Sequence, residues 1–253
     1  MTSAARTRRR AIRDLLRSRP VSVDELAVRF EVTASTIRRD LAALTDGGEV
    51  VRTYGGALAA GPNEQSLHER EALAAVEKAA IAREAERHVR AGQLLLLDAG
   101  TTVGALAERL TAWTGITVAS TGLTAVNTLA DCEGVELICL GGSVRHISQG
   151  MVGPLAEAAL SGLTADAVFL GADGVTAQRG VCEATPTQAS LKRRMVAAAA
   201  AVFVLADSSK LGRTNSHWWT PLPAGWTLIT DSSAREDQLA PFRRADVELI
   251  VAR

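Results

Sequence analysis

From residue 93 onward, the sequence alternates short apolar runs with helical segments and Gly-rich turns. Short apolar runs between turns predict buried strands, and strands that alternate with helices predict a mostly parallel sheet. A sheet of this kind is covered by helices on both faces, so the pattern predicts a doubly wound α/β domain. The predicted strands are 93–97, 116–119, 135–140, 166–170, 201–206, 227–230 and 246–251.

A second pattern, over residues 22–44, predicts a helix-turn-helix. Ser22 and Glu25 have the spacing of a capping box for the first helix, and Thr33 is a suitable N-cap for the second. At about 100° per residue, the second helix has one narrow apolar stripe. This stripe consists of Ile37, Leu41 and Leu44.

The opposite face of the second helix carries arginines and small polar groups. Such a face can enter a major groove and direct guanidinium groups at base edges or phosphates. For this helix taken alone, a merely solvated face is the alternative. The candidate DNA contacts are Thr33, Ser35, Thr36, Arg38 and Arg39.

A small hairpin is predicted after the second helix. Gly47 and Gly48 end the helix, and 49–52 and 57–58 are the strand-like segments on either side of a turn. A hairpin in this place makes the motif a winged helix-turn-helix, whose wing contacts the DNA backbone. The wing residues expected to do so are Arg52, Thr53 and Tyr54.

Positive charge is concentrated with this motif. Residues 1–60 carry eleven Arg against seven Asp and Glu, although the whole chain has a formal net charge of zero. This excess suits nucleic-acid binding, although chance clustering is the alternative for so small an excess. A first helix is predicted over 4–18, and it carries four arginines, Arg8, Arg9, Arg10 and Arg13. These arginines either contact phosphates or are simply solvated, and the sequence leaves both interpretations open.

Several other classes of protein are not indicated by the sequence. The three cysteines have no metal-ligand spacing and fit reduced thiols, and the four histidines are scattered. The Arg-rich N-terminus has no apolar stretch typical of a signal peptide, and the longest apolar run, 196–206, is about half of a membrane span. We therefore expect no metal site and no cofactor, and a soluble, cytoplasmic protein.

Polar, Gly-rich loops follow five of the predicted strands. Carboxyl ends of parallel strands share one edge of a sheet, and open α/β folds bind their ligands there. Each loop alone could be an ordinary turn, but five at one edge predict a pocket for a small phosphorylated, hydroxyl-rich ligand. The loops are 98–102, 120–122, 141–143, 171–174 and 207–210. Ser120, Thr121 and the nearby Arg145 are among the candidate ligand contacts.

Lysine is rare in this chain, which has 25 Arg and three Lys. A compact ammonium suits a point contact with phosphate or carboxylate where a planar guanidinium does not fit. Lys210 ends the last of the five loops, Lys192 lies on a helix predicted to start near Thr185, and Lys78 lies in a helical pattern over 65–90. The rarity of lysine favours a binding role for these three residues. The alternative is that they are lysines left at random positions by codon bias.

The predicted helix-turn-helix and hairpin contain the run VSVDELAVRFEVTASTIRRDLAAL followed by GEVVRTYGGA. The rest of the chain contains, in this order, LLDAGTT, LGG, VGP, LGADGV, KRRM and LADSSK. The first run resembles the DNA-binding module of the DeoR family of bacterial transcription regulators, and the second set occurs in the order seen in the sensor domain of that family. The resemblance implies a sensor fold similar to ribose-5-phosphate isomerase and glucosamine-6-phosphate deaminase. It also implies assembly into homodimers or homotetramers through the second domain.

The resemblance further implies which residues contact the ligand. Those matched to phosphate and hydroxyl contacts are Asp98, Gly100, Thr101 and Thr102. Further matched positions are Gly141, Gly142, Asp173, Lys192, Asp207, Ser209 and Lys210. The chain departs from the family at Ser120-Thr121, where many members have Thr-Asn, and in 183–188, which lacks an acidic pair often present there.

The sequence thus predicts three regions and one leading function. Residues 1–60 form the DNA-binding domain, 61–90 a linker and connecting helix with a hinge at 61–63, and 91–253 the effector domain. The leading hypothesis is a repressor of sugar or related catabolic genes that a phosphorylated sugar releases from operator DNA. The alternatives are a sugar-phosphate isomerase or deaminase, or a regulator without a small-molecule ligand.

Overall fold

The computed structural model describes residues 3–18, 21–46, 50–53, 56–59, 66–214 and 216–253. The chain divides into two compact units, Met1–Gln65 and Ser66–Arg253. The predicted helix stop at Gly47 and Gly48, the wing residue Tyr54 and the predicted hinge at 61–63 lie outside the described residues.

The first unit is a winged helix-turn-helix, as predicted. Its elements are α1 Ser3–Ser18, β1 Val21–Ser22, α2 Val23–Arg29, α3 Ala34–Asp46, β2 Val50–Thr53 and β3 Gly56–Ala59. The hydroxyl of Ser22 accepts a hydrogen bond from the N–H of Glu25 at 3.1 Å, so the predicted cap of α2 is formed. β2 and β3 pair in antiparallel fashion, and β1, which the sequence did not predict, pairs with β3.

The three helices of this unit enclose a small apolar core. Its side chains include the predicted stripe of α3, which confirms the orientation of that helix. The core members on the helices are Ile12, Leu16, Leu26, Ile37, Leu41 and Leu44.

The second unit begins with two helices and continues as an alternation of strands and helices. The first part comprises α4 Leu67–Glu71, α5 Ala75–Glu86, β4 Leu94–Leu97, α6 Thr101–Leu110, β5 Ile116–Ser120, α7 Leu123–Leu129, β6 Val135–Cys139, β7 Ser143–Arg145, β8 Gly150–Val152 and α8 Pro154–Ser161. The second part comprises β9 Ala165–Leu170, β10 Gly174–Thr176, β11 Gly180–Glu183, α9 Pro186–Ala198, β12 Ala199–Leu205, β13 Trp218–Thr220, β14 Trp226–Asp231, α10 Glu236–Arg243 and β15 Val247–Ala252. A short 3-10 turn, Ser208–Lys210, follows β12.

A seven-stranded sheet in the order β15-β14-β12-β9-β4-β5-β6 organises the second unit, and all of its pairs are parallel. The seven predicted strands are these seven, so the predicted α/β class is confirmed. The chain runs outward from β4 through β5 to β6, then returns to the other side of β4 with β9. The direction of winding therefore reverses between β4 and β9, which is where an open sheet of this kind leaves a crevice.

Side chains that alternate along the strands pack into a core on each face of the sheet. Leu95 and Leu97 of β4 belong to one core, which includes Ile81 of α5 and Leu106 of α6. Leu96 points to the opposite core, which helices α8, α9 and α10 cover with the following buried side chains. They are Ala156, Leu160, Leu191, Met195, Leu239 and Phe242.

The structure differs from the sequence-based expectation in the short elements. The helical pattern over 65–90 is two helices, because the chain turns between α4 and α5, where Ala74 has a φ of 51°. β10, β11 and β13 form a separate antiparallel sheet, and β7 and β8 form a hairpin. Among the described residues, no helix is long and apolar enough to cross a membrane.

Candidate functional site

Two of the predicted loops meet where the winding of the sheet reverses. Asp98 directly follows β4, and Gly171 directly follows β9. The Asp98 carboxylate accepts a hydrogen bond from the Gly171 N–H at 3.0 Å. The loop after β5 joins them, because a Cβ atom at Gly122 would lie 2.9 Å from the Cα of Ala99, in the loop after β4. Three of the five predicted loops are thus in contact at the carboxyl edge of the sheet.

A buried lysine completes this group. Lys192 on α9 is only 5 % exposed, and its ammonium lies 2.8 Å from an Asp98 oxygen and 2.5 Å from a Glu183 oxygen. The same ammonium donates a hydrogen bond to the Gly171 carbonyl. Gln188, in the first turn of α9, donates to the other Glu183 oxygen at 3.1 Å. Lys192 therefore ties α9 and β11 to the loops after β4 and β9.

The charges of this group are set by burial and by the partners. Burial alone would lower the pKa of Lys192, but the adjacent carboxylates of Asp98 and Glu183 raise it above its ordinary value. Burial raises the pKa of Glu183 to about 8, against the opposing effect of Lys192. At Lys192 the attraction of the carboxylates thus outweighs burial, whereas at Glu183 burial outweighs the attraction of the ammonium.

The N-terminus of α6 faces the same edge of the sheet. Gly100 is its N-cap, so no side chain caps the first turn. The first hydrogen bond within the helix runs from the Gly104 N–H to the Gly100 carbonyl, at 2.8 Å. The N–H groups of Thr101 and Thr102 thus lack an intrahelical acceptor, as at any helix start, and they can bind an anion. Gly100 has a φ of 145°, a conformation that disfavours any other residue here.

A second pair of an acidic and a basic residue, Asp207 and Lys210, lies in the loop after β12. Asp207 accepts hydrogen bonds from the Ser209 N–H at 3.1 Å and from its hydroxyl, and these bonds hold the 3-10 turn. Burial lowers the pKa of Lys210, while Asp207 and Asp173 raise it. Lys210 ends this 3-10 turn, and the nearby carboxylates that act on its ammonium come from the loops after β12 and β9. The Ser209 hydroxyl is already used by Asp207.

Two basic residues before the sheet, Arg70 and Lys78, also converge on this place. Arg70 on α4 has one guanidinium nitrogen 3.9 Å from an Asp173 oxygen. Two other nitrogens of the same group are buried without a hydrogen-bond acceptor among the described residues. Lys78 on α5 donates to the Leu73 carbonyl at 2.6 Å and to the Arg70 carbonyl. Burial lowers the pKa of Lys78, Asp207 raises it, and Lys210 and Arg70 lower it.

The sequence analysis did not include Arg70 or Lys78 among the site residues. The rarity of lysine pointed to Lys78, whereas nothing in the sequence distinguished Arg70 from the other 24 arginines. A half-buried guanidinium with two buried nitrogens that lack an acceptor is unusual, because buried nitrogens normally have a partner. Arg70, Lys78 and Lys210 therefore form the basic part of the candidate site, next to Asp173 and Asp207.

Other predicted ligand contacts are buried or lie against the backbone of neighbouring loops. The Ser120 hydroxyl donates to the Leu97 carbonyl at the end of β4 and accepts from the Gly122 N–H. Thr121 is buried, and its hydroxyl has no hydrogen-bond partner among the described residues. Gly141 and Gly142 precede the β7–β8 hairpin, and a side chain at Gly142 would lie 2.7 Å from the Val152 carbonyl.

Arg145 lies in that hairpin and is buried. The hairpin is joined to the loop after β5, because the Met151 N–H donates to the Thr121 carbonyl at 2.7 Å. It follows β6, which is two strands away from β4 in the sheet. These residues are therefore placed beside the β5 loop, farther along the sheet edge than Lys192.

The first unit presents the face that the sequence predicted for DNA. On α3, Ser35, Arg38 and Arg39 are exposed, while the apolar stripe is buried. The Thr33 hydroxyl accepts a hydrogen bond from the Thr36 N–H at 3.3 Å and lies 2.9 Å from the Ser35 hydroxyl. Arg52 and Thr53 are on β2, but their side chains lie outside the described ones, as does Tyr54.

Comparisons with known proteins agree with this division into two units. A family model described as DeoR-like helix-turn-helix domain matches residues 8–62, and one described as DeoR C terminal sensor domain matches residues 74–232. The chain is 33% identical to the "Putative aga operon transcriptional repressor" of Escherichia coli O157:H7, over 99% of this chain and 95% of that protein. It is 31% identical to the "HTH-type transcriptional repressor GlcR" of Bacillus subtilis, over 95% and 94%.

A solved structure resembles part of the chain more distantly. Ribose 5-phosphate isomerase A from Methanocaldococcus jannaschii is similar with a TM-score of 0.41 and 19% identity, over 54% of each chain.

Proposed function

Because the chain belongs to the DeoR family of transcription regulators, we propose that it is a repressor that a phosphorylated sugar releases from operator DNA. The genes it controls are those of sugar or related catabolism. One observation carries the choice of ligand, the convergence of Arg70, Lys78 and Lys210 at the end of the sheet where an uncapped helix also begins. Three cations against the carboxylates of Asp173 and Asp207 leave a net positive charge, which suits a phosphate group.

The two parts of the site have different roles in this proposal. Lys210, Arg70 and the α6 N-terminus bind the phosphate, because they offer cationic and N–H donors. The carboxylates of Asp173 and Asp207 lie beside these cations and accept hydrogen bonds from sugar hydroxyls. Lys192 holds the surrounding loops in place through Asp98 and Glu183.

DNA binding is assigned to the first unit. In the proposal, α3 enters the major groove with Arg38 and Arg39, and the wing contacts the backbone with Arg52, Thr53 and Tyr54. We further propose that the protein acts in the cytoplasm as a homodimer or homotetramer, because paired modules supply the contact area that one small module lacks.

An enzyme of the isomerase or deaminase type is the second candidate. The observation that favours it is Glu183, whose pKa of about 8 is suited to a general acid or base near neutral pH. Against it stand the relatives named above, which are transcriptional repressors. We propose that the chain does not turn over sugar phosphates.

A thermal-shift screen tests the proposed ligand class. The full chain is heated with pentose and hexose phosphates and, as controls, with the same sugars without phosphate. A ligand at a hundredfold excess over its Kd should stabilise the folded state by about 2.7 kcal/mol. We expect shifts only with phosphorylated sugars. If none shifts the transition, a regulator without a small-molecule ligand is the better account, and measurable turnover would favour the enzyme.

A further inference from the structure

The helix assigned to the major groove, α3, carries a buried carboxylate that accepts hydrogen bonds from a different helix, α1. Asp40 of α3 is only 2 % exposed. One of its oxygens accepts a hydrogen bond from the Arg8 guanidinium at 2.6 Å, and the other accepts from Arg9 at 2.7 Å. Both arginines are on α1 and are partly buried. The three residues form an ion-pair group between α1 and α3, here named the Asp40 clamp.

We propose that Asp40 is a positioning residue for DNA binding, which acts through Arg8 and Arg9 to fix the orientation of α3 relative to α1. The inference rests on the proposed function, in that α3 is taken as the helix that contacts DNA. It also assigns Arg8 and Arg9 to the clamp rather than to phosphate contacts or simple solvation, the two interpretations that the sequence left open.

The geometry explains why the clamp fixes an orientation. Apolar contacts such as those of Ile37 and Leu41 are not directional, so they alone allow α3 to rotate slightly about its axis. Charge-assisted hydrogen bonds are directional and short. Arg8 and Arg9 are consecutive, so they leave α1 about 100° apart and reach the carboxylate from different directions. Rotation of either helix therefore lengthens at least one of the two bonds.

The clamp also removes an electrostatic conflict. Asp40 directly follows the exposed Arg39, and a carboxylate beside a DNA-facing residue repels phosphates unless cations neutralise it. Two guanidinium groups turn this position into a group with a net charge of +1. In return, the carboxylate engages both guanidinium groups and holds them at α3. The clamp thus neutralises the negative charge of Asp40, so that the exposed arginines of α3 supply the charge that contacts DNA.

The first test replaces Asp40 by Asn, which keeps the shape and removes the charge. The full chain is assayed on an operator selected from random-sequence DNA and on a random fragment, at a temperature where circular dichroism shows the protein to be folded. We expect the ratio of operator to random affinity to fall at least about tenfold, while binding to random DNA is kept. An unchanged ratio in Asp40→Asn overturns the inference.

A parallel variant separates this inference from the proposed function. Arg39→Ala removes an exposed arginine of α3 and leaves the clamp intact. If Arg39→Ala weakens operator binding and Asp40→Asn does not, only the clamp is wrong. If Arg39→Ala also has no effect, the assignment of α3 to the groove fails as well.

The salt dependence of DNA binding distinguishes a positioning role of Arg8 and Arg9 from contact with phosphate. This measurement tests the inference even if Asp40→Asn does not fold. In Arg8→Gln and Arg9→Gln, we expect a lower operator-to-random ratio and an unchanged slope of log affinity against log salt concentration. An arginine that contacts phosphate would instead lower the slope by about 0.9 and leave the ratio unchanged. That result overturns the inference. Arg10→Gln, an exposed neighbour on α1, is the matched control and should keep the ratio.

Discussion

Glu183 is a buried residue whose pKa departs from its ordinary value. Burial raises its pKa to about 8 from an ordinary value of 4.5. Between these values the folded state binds a proton that the unfolded state releases, so the stability that Glu183 contributes is lost as the pH rises towards 8. Glu183→Gln is neutral at every pH. We therefore expect its free energy of unfolding, relative to that of the wild type, to be higher at pH 9 than at pH 5 by at least about 1 kcal/mol.

Thermal denaturation at pH 5 and pH 9 measures this difference. Glu133→Gln is the matched control, because Glu133 is exposed. Its difference from the wild type should be the same at both pH values. A pH-independent difference for Glu183→Gln would contradict the raised pKa.

Asp98 is expected to be structural as well as close to the ligand. Its carboxylate holds the buried Lys192 ammonium and the Gly171 N–H. Asp98→Ala leaves that ammonium with one carboxylate fewer, and breaking a buried ion pair costs roughly 3–5 kcal/mol. Denaturant unfolding should show a loss of this order. In the control Asp131→Ala, which changes an exposed residue, the free energy of unfolding should stay within about 0.5 kcal/mol of the wild type. A change equally small in Asp98→Ala would contradict the importance of the ion pair.

At the scale of secondary structure, α3 is the element assigned to base recognition. Arg39 is exposed on it, opposite the buried stripe. We expect Arg39→Ala to weaken operator binding by about 1–3 kcal/mol if the guanidinium reads a base, with little effect on random DNA. Titration of both DNAs measures this, and Arg29→Ala, an exposed arginine of α2, is the control. An equal loss on both DNAs would assign Arg39 to phosphate.

Elements with a local pattern were predictable, and those that depend on distant pairing were not. The strands of the main sheet are continuous apolar runs such as Leu94–Leu97, so their place is visible in the sequence. β1 and β13 are only two and three residues long, and their partners are 34 or more residues away. No local pattern marks such strands, because the pairing itself stabilises them.

The candidate site was predictable to a similar degree. Asp98 and Asp207 follow strands, so parallel topology alone places them at one sheet edge. Arg70 reaches the same edge from α4, and its position depends on how α4 packs. The α4 N-terminus is held by a bond from the Leu67 N–H to the Ile147 carbonyl at 2.8 Å, which only the folded chain shows.

At the scale of the whole molecule, we expect at least a dimer. One winged helix-turn-helix buries too little surface for tight and selective binding, so two modules on a repeated or palindromic site are needed. Light scattering at micromolar concentration should give a mass of at least twice 26.6 kDa. A monomer that binds the operator with full affinity would contradict this expectation.

The last prediction concerns how ligand binding in the second unit changes DNA binding by the first. A ligand shifts DNA affinity only if it binds the DNA-competent and DNA-incompetent states unequally. The segment that enters the second unit carries Arg70 on α4, within a few residues of Ser66. A phosphate that draws Arg70 towards Lys210 would pull on that segment. Lys210→Ala removes one of the charges proposed to hold the phosphate and leaves the sequence of the first unit unchanged.

We therefore expect Lys210→Ala to fold and to bind the operator like the wild type, but to keep its operator affinity when the sugar phosphate is added. The variant is then a permanent repressor. Operator titrations with and without the sugar phosphate found in the thermal-shift screen measure this. Arg244→Ala, which removes an exposed cation at the end of α10, should respond like the wild type. If Lys210→Ala releases the operator as readily as the wild type, the phosphate does not bind at Lys210. If it fails to bind the operator even without ligand, Lys210 is needed for the fold rather than for the response.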